Sequence, residues 1–176
     1  MSISYFDKYN INMILQKYNR QNCVQYALFW AKKRNPNYYD FEDLGGDCTN
    51  FASQSVFAGC NVMNYNYPLG WFYNSAFERS PSWTSVEYLR NFLFRKEISK
   101  GPVGKISNLK DLDLGDLIQI KTNGVYTHTL VITKIESPGS PFDTFVCAHT
   151  YDALNRRLST YNLKDARFIK IIGFYN

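Results

Sequence analysis

Cys48, His128 and His149 are the residues of this 176-residue chain best suited to nucleophilic chemistry. Gly45-Gly46 lets the backbone turn sharply before Cys48. The apolar stripe Phe51, Ala52, Ser55, Val56 then makes Cys48–Ala58 a helix that Cys48 opens, with Gly59 as its C′ residue. A helix N-terminus offers free N–H groups and the positive end of the dipole, both of which stabilise a thiolate. The chain's two histidines fall in alternating stretches that read as strands. His128 shares a face with Leu130 and Ile132, and His149 with Phe145 and Cys147. If those strands pair through a turn at 137–141, the two imidazoles come close on one face. The chemistry that follows is acyl transfer, with Cys48 as nucleophile, His128 as the base and His149 as the group that orients it. The alternatives are a buried helix-start cysteine and hydrogen-bonded strand histidines, and spacing alone leaves both open.

Acyl transfer also needs donors for the oxyanion. The backbone N–H of Cys48 is placed for this by its helix-start position, and Tyr38, Tyr39 and Asn50 are the side-chain candidates. Asp47 can bond helix N–H groups or tune the site, although its charge opposes thiolate formation. For Asn50 and Gln54 a purely structural role on the helix flank is an equal alternative. No metal or cofactor is expected, because no His-x-x-His or His-Glu-x-x-His spacing occurs. Cys23 and Cys147 read as small buried hydrophobes, Cys60 is ambiguous, and no CxxC pair is present.

The elements that must position these groups change period along the chain. Residues 1–19 form a short helix or an arm, and Arg20–Arg34 an amphipathic helix stopped at Asn35-Pro36. A long aromatic, irregular stretch covers 60–85, and a further helix covers 84–97, with Val86, Leu89, Phe92 and Leu93 inward. Strands are expected at 116–121, 126–135, 144–150 and 167–175. Helices followed by an antiparallel meander make an α+β domain, with the helices on one side of the sheet.

Composition bounds the rest. A 176-residue chain, 45% hydrophobic and 20% charged, suits one packed domain, 1–176. No apolar run approaches the roughly 20 residues that cross a bilayer. Met1–Lys8 lacks the basic-then-apolar order of a secretory signal, so localisation stays open between export by another route, a trimmed signal and the cell interior. The net charge of +5 is scattered, which speaks against a nucleic-acid binder and fits attraction to anionic polymers such as a bacterial wall. Fourteen Tyr, 13 Phe and 3 Trp are too many rings to bury, so some should line a groove. Trp71, Tyr73 and Trp83 in the 60–85 stretch are the candidates.

The run Gly46-Asp47-Cys48-Thr49-Asn50-Phe51-Ala52-Ser53-Gln54 resembles the signature of the bacterial "putative amidase domain" family, a branch of papain-like hydrolases akin to NlpC and CHAP cell-wall enzymes. Further matching pieces follow in family order. They are Tyr26-Ala27 with Trp30-Ala31, Asn35-Pro36, Tyr39, Gly59, Met63, Trp71 and Ser82-Trp83. Leu114-Gly115-Asp116, Tyr126 with His128, and Ala148-His149-Thr150 with Asp152 complete the series, over about residues 18–160. The resemblance implies a papain-like fold and a Cys–His–polar triad, carried here by Cys48, His128 and His149, with Asp152 as the competing orienter. It implies cleavage of an amide in peptidoglycan, or another peptide amide, through a thioester, and the chain is expected to be a monomer. The bond is either that between muramic acid and the stem peptide or one within the stem. A zinc amidase, a non-hydrolytic wall-binding module and an acyl transferase on the same fold are the alternatives.

Overall fold

A computed structural model describes residues 13–176. Most of the expected N-terminal arm or helix, residues 1–12, lies outside the described residues. The remainder supplies a two-residue strand, β1 (Leu15–Gln16), paired antiparallel with the last strand. Asn19 caps α1 (Arg20–Trp30) by accepting a hydrogen bond from the Asn22 N–H at 3.0 Å. The helix turns Cys23, Val24 and Ala27 inward. It ends at Trp30, a turn before Asn35-Pro36.

The second helix, α2 (Cys48–Cys60), is buried along almost its whole length, and its buried hydroxyls find partners inside, Ser53 on the Trp83 carbonyl and Ser55 on that of Phe51. It runs two residues past the expected end. Asn61, at φ +52°, is its left-handed cap, and Gly59 lies inside the helix instead. The glycine is needed there for space, since a Cβ would stand 2.2 Å from the Tyr18 ring. Two short helices follow, α3 (Pro81–Thr84) and α4 (Val86–Leu93). The inward stripe of α4 is the one its sequence spacing predicts, although the helix stops at Leu93.

Seven strands form one antiparallel sheet: β1, β2 (Gly101–Ile106), β3 (Leu117–Thr122), β4 (Val125–Ile135), β5 (Thr144–Ala148), β6 (Ala153–Arg157) and β7 (Arg167–Tyr175). Their order is β1-β7-β3-β4-β5-β6, with β2 also on β7. The architecture is α+β. Gly101-Pro102 conceals β2 and a run of polar residues conceals β6, so neither shows in the hydropathy pattern.

The sheet has two distinct faces. Leu117, Val131, Cys147, Ile169 and Ile171 pack beneath the helices. Ile118, Ile120, Leu130, Ile132, Val146 and Ala148 pack on the other face beneath Leu112 and Leu158. The Leu114-Gly115-Asp116 turn locks α1 to the sheet. Asp116 Oδ1 accepts from Arg20 Nη1 at 2.7 Å and from the Ile171 N–H at 2.9 Å, and Gly115, at φ +76°, lies against Cys23 and Tyr18. All four cysteines are free and buried.

Candidate active site

The segment before α2 is tied down from both sides. Gly45 and Gly46 have φ of +100° and +104°, a region that side chains rarely enter. A Cβ on Gly46 would also stand 2.9 Å from Thr150 Oγ1. That hydroxyl accepts from the Asp47 N–H at 2.7 Å, fixing the helix start to the end of β5. Asp47 makes no side-chain cap to α2. The helix's first N–H groups are therefore not consumed by its carboxylate.

Cys48 opens α2 and is buried. Its Sγ lies 3.7 Å from the Thr127 carbonyl oxygen, to which the thiol donates, and 3.8 Å from Thr49 Oγ1. Burial pushes the thiol above its ordinary value of 9.0. Hydrogen bonds from Thr129 and Thr49 work against that push, and the Asp47 charge adds to it. Desolvation thus favours the thiol form of Cys48.

The imidazoles do not meet. Strand β4 pairs with β5 as the sequence leads one to expect, but the register sets Val131 opposite Cys147. His149 follows Cys147 by two residues and so faces the helices. His128 pairs with Ile120 and shares its face with Leu130 and Ile132, on the opposite side. Neither histidine hydrogen-bonds Cys48 among the described residues.

His149 is fully buried and both its nitrogens are engaged. Nδ1 lies 2.5 Å from Asp47 Oδ2, and Nε2 lies 2.9 Å from the Trp30 carbonyl oxygen. Two acceptors around one imidazole require two protons among ring and carboxylate, either an imidazolium with a carboxylate or a neutral ring with a carboxylic acid. The ring stacks on Phe51 at 4.1 Å. His149 therefore orients Asp47, the residue before Cys48. The expected contact to His128 is absent.

His128 is different. Its imidazole makes no hydrogen bond among the described residues, and the ring lies 6.2 Å from that of Tyr161. Burial, with the charge of Arg156 adding to it, pushes the imidazole down from 6.5 to about 4. It is neutral at pH 7, with a lone pair available. A consequence for stability follows from the sign of this shift. Between pH 6.5 and 4 the unfolded chain binds this proton and the folded chain does not, so the fold loses stability as pH falls through that window. The loss should be about 1–3 kcal/mol, allowing for partial exposure of the ring. Urea unfolding at pH 7 and pH 4.5 should show it in the wild type and show it reduced in His128→Gln. Equal losses in the two proteins would refute a buried neutral His128.

Asp152 is drawn elsewhere. Its carboxylate pairs with Arg34 at 3.0 Å, and Arg34 also faces Glu42 at 3.1 Å, Asp40 at 3.2 Å and Asp47 at 3.8 Å. Arg34 is a hub that the sequence shows only as the end of a basic cluster. Asn50 cannot donate to an oxyanion. Its amide nitrogen gives to Asp47 Oδ1 at 2.8 Å and to the Tyr39 carbonyl at 3.0 Å, and its oxygen accepts from Trp83 Nε1 at 2.9 Å. Tyr39 reaches the site through that carbonyl, with its own ring half exposed.

Trp71, Tyr73 and Trp83 are core residues, which corrects their expected place in a groove. Their polar atoms find partners inside, Trp71 Nε1 on Ser53 Oγ at 3.1 Å and Tyr73 Oη on the Tyr39 N–H at 2.8 Å. A ring with its polar tip satisfied can be buried without penalty. The exposed rings of the segment are Tyr65, Tyr67 and Phe77.

A helix-start cysteine over an antiparallel sheet, in a Gly-Asp-Cys-Thr-Asn-Phe run, is the setting in which the chain's relatives can be read. The family described as "putative amidase domain" matches residues 17–172, and the chain belongs to it. The uncharacterized protein YhbB of Bacillus subtilis (strain 168) is 31% identical over 144 residues, which cover 80% of this chain and 44% of YhbB. The chain thus spans less than half the length of that relative. No solved structure matches. No helix of the described residues is long and apolar enough to cross a membrane.

Proposed function

We propose that the chain is a cysteine-dependent amide hydrolase of the papain-like kind, acting on bacterial cell-wall peptidoglycan. The observation that carries the reading is Cys48 at the first position of α2, beside uncapped helix N–H groups, in a chain of the amidase-domain family. Cys48 Sγ attacks the amide carbonyl carbon. The carbonyl oxygen takes the charge and is held by backbone N–H groups of the first turn of α2, since the Asn50 side chain is fully engaged. His128 accepts the thiol proton and returns it to the nitrogen of the scissile amide, which leaves as an amine. Water then cleaves the thioester, with the same imidazole as base.

This sequence requires His128 on the Cys48 side of the sheet. Thr127 is the extra residue of a bulge between β3 and β4, where Ile120 pairs with His128 and Lys121 with Tyr126. Moving that extra residue by one position exchanges the faces of Thr127 and His128. Thr127, whose carbonyl accepts from the Cys48 thiol, is the residue that such a shift would turn.

Purified peptidoglycan is the test substrate. Release of products should survive EDTA, cease after treatment with methyl methanethiosulfonate and return on reduction. Inhibition by EDTA with none by the thiol reagent would overturn the thiol mechanism in favour of a zinc amidase. Transfer of the acyl group to an added amine in preference to water would make the chain a transferase. Tight binding without turnover would make it a wall-binding module.

A further inference from the structure

A second concave site lies in the 64–99 segment, apart from Cys48. It is a cavity of about 430 Å³ whose apolar wall is Leu69, Phe92 and the ring of Tyr88. Some polar residues on its wall are already committed. Asn64 donates to Ser99 and to the Lys100 carbonyl and accepts from the Asn66 N–H, and Ser82 Oγ donates to the Gly70 carbonyl. The Arg95 guanidinium spends its terminal N–H groups on five backbone carbonyls, those of Phe92, Ser99, Lys100, Gly101 and Pro102. Its Nε donates to Ser99 Oγ.

What remains available is a particular chemistry. Among the described residues the side-chain amide of Asn66, the Nδ2 of Asn91, the Tyr88 hydroxyl and the Glu97 carboxylate make no hydrogen bond or ion pair. The Ser99 hydroxyl accepts twice and keeps its own proton to donate. The one cation of the lining, Arg95, is committed to Ser99 and backbone carbonyls, and the Glu97 carboxylate beside it makes no hydrogen bond or ion pair among the described residues. A phosphate or other anion therefore finds only neutral donors there, beside a carboxylate that repels it. A sugar ring finds partners: one face is C–H and lies on an aromatic or aliphatic wall, while its rim of hydroxyl and acetamido groups needs amide and carboxylate partners.

We propose that this cavity binds a neutral N-acetylated sugar, as a subsite for the glycan strand of the substrate. It rests on the reading that the substrate is peptidoglycan. The subsite is mechanically joined to the reaction centre, because Ser82 lines it and the next residue, Trp83, donates to Asn50 two positions after Cys48.

The test is calorimetric titration of the full chain with the β-1,4-linked tetramer of N-acetylglucosamine. Wild type should bind it saturably, and Tyr88→Ala and Asn91→Ala should each weaken binding at least tenfold. Both residues are exposed, so the variants should keep the wild-type unfolding temperature. Cys48→Ala should bind the tetramer as wild type does. Absence of tetramer binding, equal binding by wild type and Tyr88→Ala, or Tyr88-dependent binding of a sugar-free stem peptide would each overturn the subsite. Peptidoglycan cleavage without tetramer binding would refute the subsite alone. Tyr88-dependent tetramer binding without any cleavage would refute the hydrolase and leave the subsite standing.

Discussion

Asp47→Ala and His149→Ala should each destabilise the protein by about 3–5 kcal/mol, because each leaves several buried hydrogen-bonding groups unpaired, at about 1–3 kcal/mol apiece. Every atom of the Asp47 carboxylate is in use. Oδ1 accepts from the Phe41 N–H at 3.0 Å and from Asn50 at 2.8 Å, and Oδ2 is 2.5 Å from His149. Removing it leaves a buried backbone N–H, an amide and an imidazole without their acceptor. Removing His149 strands the Trp30 carbonyl and empties the space against Phe51. For a chain of this size the loss corresponds to a fall in unfolding temperature of roughly 10 °C. The double variant should cost less than the sum of the two, because the partners share one interaction. Falls below about 2 °C in thermal melts would show that the pair is not what holds the segment before Cys48.

Replacing Cys48 itself should have the opposite profile. Cys48→Ala removes one buried sulfur whose polar contacts are long, 3.7 and 3.8 Å, so the fold should survive. Cleavage should fall by at least about 10³-fold, because loss of the nucleophile leaves only binding and oxyanion stabilisation. Cys48→Ser keeps the geometry but should be nearly as impaired, since a hydroxyl is a far poorer nucleophile without a base in contact. His128→Ala should lower turnover while leaving Cys48 in place. These comparisons separate the two histidines: loss of His149 should be felt first in stability, and loss of His128 first in rate.

The two-face structure of each strand was legible in the sequence, and so was the order of helices before sheet. His128 does lie with Leu130 and Ile132, and His149 does lie with Cys147. Which face of one strand meets which face of the next is a matter of register. Here the extra residues at Thr127 and Thr133 set it, and no local pattern marks them. Cys48 as a helix start followed from Gly45-Gly46 and the stripe behind it. The partnership of Asp47 with His149 did not, because it joins positions 102 residues apart. The aromatic surplus misled in one respect. Hydropathy cannot tell a ring on a surface from a ring whose N–H or O–H finds a buried partner, and Trp71 and Trp83 are of the second kind. Tyr88, on a helix whose inward face was read correctly, is the exposed ring that the cavity uses.

The central claim is that Cys48 cleaves an amide of the cell wall, and mass spectrometry of peptidoglycan digests addresses it most directly. Wild type should release either stem peptides with a new alanine amino terminus and intact glycan, or shortened stems still attached to the glycan. Cys48→Ala, at the same concentration and with an unchanged melting temperature, should release neither. The same products from Cys48→Ala at the wild-type rate would contradict the account.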